Sequence, residues 1–242
     1  HIASPDQACS DLAYQASVKA LESAGLQAED LGLIIVASST GDYYNFPSTA
    51  CLLQYKLGAK NAGAFDLGAA CSGFVYSLEM GRSWVLSQQK PVLVVGSEML
   101  SRIADWQDRE TCVLFGDGAG AVVLVPSEED GIPFSYLAAD GENYNLLKND
   151  SGCRFPRSGS QRQLGYLQML GKPLFSFAVR SLETVINKVL QDGKKATAES
   201  IGTSEIWIIP ATASHTTIAS KISTLISAGI MGLRGSSLIV VL

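Results

Sequence analysis

The stretch FDLGAACSGF at residues 65–74 decides how this sequence is interpreted. It opens with a short apolar run, passes through Gly-Ala-Ala and reaches Cys71, after which the apolar spacing is helical as far as Leu86. The N-terminus of a helix presents unpaired N–H groups and partial positive charge, which favours a thiolate and lowers the pKa of a cysteine. Small neighbours leave room for a substrate carbonyl, and the Cys71 N–H group can stabilise an oxyanion. We therefore predict that Cys71 is a nucleophile.

The other four cysteines are interpreted as structural, because a lone cysteine is most often a small buried apolar residue. They are Cys9, Cys51, Cys112 and Cys153. The five cysteines are odd in number, widely spaced and without a Cys-x-x-Cys pair, a pattern typical of reduced proteins rather than of disulfide or zinc frameworks. We expect a cytoplasmic protein, or a stromal one if the source is a plant, with neither a metal nor a bound cofactor.

Composition limits the class of protein. The 242 residues are 47% hydrophobic and 17% charged, which is enough apolar material for a substantial core. No apolar run reaches the roughly 18 residues that a membrane helix needs, and residues 1–5 do not resemble a signal peptide. The net charge of −5 argues against a general nucleic-acid surface. We expect a globular protein that neither enters a membrane nor binds nucleic acid.

Apolar periodicity predicts helices and strands that alternate up to about residue 125. The predicted helices cover residues 10–25, 47–57 and 71–86, and the predicted strands cover 33–37, 62–67, 91–96 and 119–125. This alternation predicts an α/β layer around a largely buried sheet. A polar, glycine-rich stretch at 140–165 is interpreted as a surface loop. Beyond it, a helix at 175–190, a strand at 205–209, a helix at 216–228 and a strand at 237–242 echo the first half.

The segment FGDGAGA at residues 115–121 superficially suggests a dinucleotide-binding fingerprint. Its third glycine is misplaced, however, and an apolar strand follows where the fingerprint requires a helix. We reject nucleotide binding here and predict a tight backbone turn beside the active site. The sequence also contains no Walker loop, Gly-x-Ser-x-Gly elbow or metal-ligand cluster.

The segment GAACSGF at 68–74 closely resembles the nucleophile segment of β-ketoacyl-acyl-carrier-protein synthase III. Further matches arrive in family order: FPS at 46–48, VVGSE at 94–98, DR at 108–109, FGDGAGA at 115–121, MLGK at 169–172 and FSFA at 175–178. The resemblance implies a thiolase-like layered α/β sandwich built from two similar βαβ-type halves. Residues 1–130 would form the half that carries Cys71, and residues 131–242 a second half that is short relative to the family. A homodimer is also implied.

The same resemblance implies the chemistry. Cys71 would take a starter acyl group from acyl-CoA, and malonyl on acyl carrier protein would lose carbon dioxide and attack that acyl group, in two covalent steps. Phe46 matches a residue that closes the partner's acyl pocket, Phe115 matches a pocket-wall position, and Arg109 matches a contact to the coenzyme A nucleotide. Met169 and Gly171, from another matching segment, are assigned to substrate binding as well. Each could instead serve packing or surface charge.

The resemblance breaks down at the histidine and asparagine that polarise the malonyl thioester in this family. A strand ending at Pro210 is followed by Ala-Thr-Ala-Ser rather than His-Gln-Ala-Asn, and His215 then occupies a segment like the family's asparagine motif. His215 is our candidate for this catalytic role. Either the sequence as given omits the missing segments, or the protein lacks the pair. The first explanation is favoured, because losing a core strand and helix would leave buried edges unpaired.

Three functions therefore compete. The first is decarboxylating condensation that initiates fatty acid synthesis. The second is an acyltransferase of the same fold, which would move an acyl group from Cys71 to an alcohol or amine and would need no decarboxylating pair. The third is a scaffold without turnover, against which the retained Cys71 argues. Release of carbon dioxide and chain lengthening distinguish the first function from the second.

Overall fold

The computed structural model describes residues 1–128, 131–132, 134–149 and 165–199, with side chains in the last helix described as far as residue 192. The helices are α1 (Cys9–Ala24), α2 (Thr49–Leu57), α3 (Gly73–Gln88) and α4 (Gly171–Glu199). The strands are β1 (Leu33–Ala37), β2 (Gly63–Leu67), β3 (Val92–Met99), β4 (Asp117–Leu124), β5 (Leu147–Asn149) and β6 (Leu167–Met169). Every helix and strand predicted up to residue 125 is confirmed, with ends that differ by a few residues.

Four of the described strands form the central sheet, in the order β2-β1-β3-β4. Strands β1, β2 and β3 are mutually parallel, and Leu33 of β1 pairs with Gly63 of β2 and with Val92 of β3. Strand β4 runs antiparallel to β3. All of β1 and the first four residues of β3 are buried, as expected for continuous apolar runs in a sheet covered on both faces. The three parallel strands end at one edge of the sheet, and the candidate site lies there.

Helices cover the two faces of the sheet. One face packs against α1 and α2 through the buried residues Ala13, Leu21, Leu31, Ile34, Val36, Ala50, Leu53, Ala59, Leu93 and Val95. The other packs against α3 through Leu33, Ile35, Leu78, Val85, Val92 and Val94. Successive strand residues point to opposite faces, so one apolar run supplies both clusters. The result is a layered α/β arrangement, as predicted. No helix in the described ranges has the length and apolar character needed to cross a membrane.

The helix ends follow their local sequence. Gly25 and Gly58 lie just past α1 and α2 with φ values of 65° and 72°, a left-handed conformation that glycine adopts without steric cost. Ser48 precedes α2, and its hydroxyl accepts a hydrogen bond from the Cys51 N–H group at 3.2 Å. These contacts fix both ends of α2, the helix that follows the Phe46-Pro47 segment.

The prediction of a tight turn in residues 115–121 is wrong. Strand β4 begins at Asp117 and pairs with β3 along its full length, so the glycines at 118 and 120 lie within a strand. At position 116 the structure requires glycine, since a Cβ atom there would lie 2.8 Å from the His1 carbonyl oxygen. A strand rather than a helix follows this segment, in line with the rejection of a dinucleotide site.

The prediction of a loop at 140–165 is also incomplete. Strands β5 and β6 pair antiparallel across this region, and the Leu167 N–H group donates to the Ile103 carbonyl at 2.8 Å. Three-residue strands are too short to show a periodic pattern, which explains why they were missed. The elements predicted at 205–209, 216–228 and 237–242 lie outside the described residues. The division into halves at residue 130 therefore stays a prediction.

Candidate active site

Cys71 lies in the connection between β2 and α3. It occupies a single-turn 3₁₀ helix, Ala70–Ser72, and α3 begins immediately afterwards at Gly73. Ala70 has a φ of 47°, a left-handed conformation that is uncommon outside glycine and is found at sharp turns and functional sites. The prediction that a helix begins at or near Cys71 is confirmed. The turn places the cysteine at the start of a helix, beyond the end of β2.

Two glycines allow the start of α3 to approach the sheet. A Cβ atom on Gly73 would lie 3.0 Å from the Ala37 Cβ at the end of β1. A Cβ atom on Gly96 in β3 would lie 3.2 Å from a ring carbon of Phe74. Both distances are tighter than ordinary contacts, so larger residues would push the helix away. Cys71 is thereby held close to the edge where β1 and β3 end.

Asp66 links the strand that leads to Cys71 with the start of α2. Its carboxylate accepts hydrogen bonds from the Thr49 N–H group at 2.8 Å and from the Ala50 N–H group at 2.7 Å. A carboxylate at a helix N-terminus satisfies unpaired donors and complements the helix dipole. This contact fixes the Phe46-Pro47-Ser48 segment relative to β2.

Glu98, near the end of β3, is the second acidic residue at this edge. Its carboxylate accepts a hydrogen bond from the Ser39 N–H group at 2.8 Å and another from the Thr40 hydroxyl. The Thr40 oxygen in turn accepts from the Met99 N–H group at 2.7 Å. Burial raises the pKa of Glu98, and the bonds from Thr40 and Ser39 oppose that rise only in part.

The electrostatics of Cys71 differ from the sequence prediction. Cys71 keeps solvent-exposed surface. The surrounding protein nevertheless raises the pKa of its thiol, the charge of Glu98 raises it further, and its own backbone N–H group lowers it only in part. The helix N-terminus is present, as predicted, but desolvation and the charge of Glu98 disfavour the anion more strongly. Within the described residues Cys71 is therefore a thiol rather than a thiolate at neutral pH.

The residues assigned to substrate binding lie in several segments. Phe46 is 82% exposed in the loop before α2, Arg109 is exposed in the turns between β3 and β4, and Phe115 is half-buried just before β4. Met169 ends β6, and Gly171 begins α4. The last two are neighbours, since a Cβ atom on Gly171 would lie 3.6 Å from the Met169 methyl group. Their roles in binding stay predictions.

His215 lies outside the described residues. Among the residues that are described, no three histidine, cysteine, aspartate or glutamate side chains are grouped so as to hold a metal ion. No role was predicted from the sequence for Asp66 or Glu98. The available signal was an acidic residue near the end of a parallel strand, where side chains from neighbouring strands meet.

Known proteins resemble this chain in sequence and in fold. The family described as 3-oxoacyl-[acyl-carrier-protein (ACP)] synthase III matches residues 65–141. Beta-ketoacyl-[acyl-carrier-protein] synthase III of Xanthomonas campestris pv. campestris (strain 8004) is 48% identical over 212 residues, which cover 87% of this chain and 63% of the relative. The chain thus spans less than two thirds of the length of that relative.

Solved structures agree with the sequence relatives. The crystal structure of 3-oxoacyl-[acyl-carrier-protein] synthase III from Aquifex aeolicus VF5 is 42% identical with a TM-score of 0.76, over 93% of this chain and 68% of that one. The enzyme from Thermus thermophilus is 35% identical with the same TM-score and the same coverage. These similarities confirm the predicted thiolase-like α/β fold. The chain belongs to the 3-oxoacyl-[acyl-carrier-protein] synthase III family.

Proposed function

We propose that this chain catalyses a decarboxylating Claisen condensation between an acyl-CoA starter and malonyl-acyl carrier protein, the step that initiates fatty acid synthesis. The observation that carries the proposal is the position of Cys71, in a strained turn at the N-terminus of α3 and at the edge where the parallel strands end. An accessible cysteine at a helix N-terminus is a suitable acyl acceptor.

In the first step, the Cys71 sulfur attacks the thioester carbonyl of acyl-CoA. The bond from the carbonyl carbon to the coenzyme A sulfur breaks, and coenzyme A takes up the thiol proton as it leaves. In the second step, malonyl-acyl carrier protein loses carbon dioxide, and its enolate carbon attacks the acyl-Cys71 carbonyl. The bond from the acyl carbonyl carbon to the Cys71 sulfur breaks, and the released thiolate takes up a proton from solvent. The backbone N–H group of Cys71 is suited to stabilise the oxyanion in each attack.

Because the pKa of the Cys71 thiol is raised, the first step requires a group that assists the loss of its proton. A thiol must lose its proton as it attacks, so a base or a further stabilising dipole has to act on it. Because a pair of polarising groups serves the second step in the family, we assign His215 to that role.

The substrate-binding roles of Phe46, Arg109 and Phe115, and of the Met169–Gly171 segment, belong to the same proposal, as does a cytoplasmic location.

We further propose that the protein is a homodimer paired through β2. This strand lies at the edge of the central sheet, with β1 on its other side, and Phe65 within it is 40% exposed. An edge strand offers unpaired N–H and C=O groups to a second strand. Phe46 is 82% exposed on the neighbouring loop, where a partner subunit would cover it. A partner's acyl pocket is the site that this side chain would enter.

The test is intact-mass spectrometry of the purified chain with acetyl-CoA or longer acyl-CoA, followed by malonyl-acyl carrier protein. We expect one acyl adduct, which disappears in Cys71→Ala and persists in Cys51→Ala, the matched change at an exposed cysteine on α2. Addition of malonyl-acyl carrier protein should discharge the adduct with release of carbon dioxide.

Other results would contradict the proposal in different ways. A stable adduct that only an alcohol or amine discharges would assign the chain to the acyltransferases. No adduct with any acyl-CoA would reject Cys71 as an acyl acceptor in this chain. An adduct that persists in Cys71→Ala would place the acyl group on another residue.

A further inference from the structure

The loop between β1 and α2 exposes a run of large side chains. Tyr43, Tyr44 and Phe46 are all exposed, and we call residues 43–46 the aromatic tip. Asn45 within it has a φ of 75°, a left-handed conformation that asparagine adopts more readily than most residues and that turns the chain. A cluster of exposed apolar side chains marks a surface that contacts another molecule.

The first end of the loop is held by Asp42. Its carboxylate accepts hydrogen bonds from the Ser10 N–H group at 2.8 Å and from the Ser10 hydroxyl at 2.5 Å. Ser10 is fully buried at the start of α1, and its oxygen also accepts a hydrogen bond from the Lys56 ammonium group at 2.7 Å. Because Lys56 lies in the last turn of α2, Asp42 is tied to both helices on this face of the sheet.

The second end of the loop is held by Asp66 of β2. Thr49 and Ala50, buried in the first turn of α2, donate their N–H groups to its carboxylate at 2.8 and 2.7 Å. The Thr49 hydroxyl oxygen also accepts from the Asp42 N–H group at 3.3 Å. A Cβ atom on Gly41 would lie 2.6 Å from that oxygen, so the chain passes directly beside Thr49 as it enters the loop. Both ends of the loop therefore meet at Thr49, while the aromatic tip stays exposed.

Asp66 also connects this loop to the nucleophile. It lies in the strand that leads to the turn of Cys71, and the same strand forms the edge of the central sheet. The aromatic tip, the edge strand and the nucleophile turn thus keep a fixed relation to one another. A side chain can limit the depth of a pocket only if its backbone is held, since a loose loop would yield to a longer ligand.

We propose that Asp42 and Asp66 are positioning residues for the choice of starter: they hold the aromatic tip so that Phe46 enters the partner's acyl pocket to a fixed depth and excludes longer acyl chains. This inference rests on the proposed function, which gives Phe46 that place. The carboxylates act through the loop rather than on the thioester. Losing either one should therefore change which acyl-CoA is accepted more than it changes the rate with the preferred one.

The experiment measures the rate of Cys71 acylation, by intact-mass spectrometry, with saturated acyl-CoAs of increasing length. The informative quantity is the ratio of the rate for the preferred acyl-CoA to the rate for the next longer even-chain acyl-CoA. In Asp66→Asn, which leaves one carbonyl oxygen for two N–H donors, this ratio should fall by about tenfold, a typical discrimination for methylene groups in an apolar pocket. Asp42→Asn should lower it as well.

Asp30→Asn is the matched control. It weakens a similar cap, on the Gln27 N–H group at 2.8 Å, before the start of β1 and so at the opposite end of that strand from the loop. It should leave the ratio unchanged. A ratio near one in the unaltered chain, or an equal fall in Asp30→Asn, would overturn the proposal.

A double-mutant cycle separates positioning from general destabilisation. If Asp66 acts through the aromatic tip, Asp66→Asn should have no further effect on the ratio once Phe46→Ala has removed the side chain. Independent effects of the two changes, or an equal loss of rate at every acyl length, would contradict the proposal. If Asp66→Asn does not fold, Asp42→Asn supplies the same cycle.

Hydrogen exchange followed by mass spectrometry tests the loop without any acyl donor. Asp66→Asn should speed exchange in peptides that cover residues 43–48 by about tenfold, the effect of losing about one hydrogen bond, and leave peptides of α3 unchanged. Unchanged exchange in the loop would reject the proposal by itself. An acyl adduct with an unaltered length preference in both variants would reject this proposal alone. No adduct in the unaltered chain would reject the proposed function, and the pocket role of Phe46 with it.

Discussion

At the scale of single residues, Asp117 shows how a carboxylate near the site stabilises the fold. It accepts hydrogen bonds from the Ala3 N–H group at 2.8 Å, the Ser101 N–H group at 2.9 Å and the Ser101 hydroxyl at 2.7 Å. Burial alone would raise the pKa of Asp117. These donors and the charge of Arg102 outweigh it, so the pKa lies below its usual value of 3.8.

This lowered pKa leads to a pH-dependent prediction. A carboxyl group whose pKa is lower in the folded state stabilises the fold above its unfolded pKa and loses that effect as pH falls through its folded pKa. The loss of unfolding free energy in Asp117→Asn should therefore be constant above about pH 5 and shrink below the usual aspartate value of 3.8. Urea denaturation at several pH values measures it, with Glu22→Gln, an exposed change on α1, as control. A difference that grows as pH falls would contradict the assignment.

The position of Cys71 could be predicted from sequence, but the direction of its pKa could not. Small residues and the onset of helical periodicity are local signals, and they located the turn within two residues of the start of α3. Burial opposes the thiolate most, and the charge of Glu98, which is distant in the chain, adds to it through the packing of α3 on β1 and β3. Sequence spacing does not report such a contact.

At the scale of elements, α3 carries two small residues on its buried side with opposite expected effects. The Ser77 hydroxyl is buried and has no hydrogen-bond partner in the described part of the chain, so Ser77→Ala should stabilise the protein by about 1 kcal/mol. A Cβ atom on Gly81 would lie 2.9 Å from Leu124, 3.2 Å from Val94 and 3.3 Å from Val92. Overpacking in Gly81→Ala should therefore destabilise the protein by about 1–3 kcal/mol. The higher helix propensity of alanine should offset roughly 1 kcal/mol of that cost.

Urea denaturation of the two alanine variants measures both effects on the same helix. The pair is its own control, because each change places an alanine in the buried face of α3. Two changes of the same sign would show that helix propensity rather than packing controls the result. Retention of the Cys71 alkylation rate in Ser77→Ala would show that the turn before α3 is undisturbed.

Elements with strong local patterns were predictable, and short elements were not. The apolar run of β1 gave the observed bounds, residues 33–37, since a buried strand requires a continuous apolar sequence. Strands β5 and β6 have three residues each and pair across a long stretch of chain. Their stability depends on that non-local pairing, which leaves no periodic trace in the sequence.

At the scale of the whole molecule, the α/β class followed from the order of elements, and the thiolase-like arrangement followed from resemblance. The packing of α1 and α2 on one face and α3 on the other results from alternating side chains in β1 and β3. Because these runs are wholly apolar, the sequence does not show which side chains face which helices. A second subunit that pairs with the edge strand β2 leaves no pattern in the sequence of one chain. The assembly is therefore best tested directly.

The proposed dimer makes one prediction at this scale. Phe65→Lys places a charge in the exposed edge strand β2, and a charged residue on an edge strand opposes pairing with another strand. We expect light scattering coupled to size-exclusion chromatography to give a dimer mass for the unaltered chain and a monomer mass for Phe65→Lys. Leu86→Lys, which introduces the same charge at a 59% exposed position on α3, should remain dimeric. A dimer that survives Phe65→Lys would place the interface elsewhere, and Phe46 would then lose its proposed route to the partner's acyl pocket.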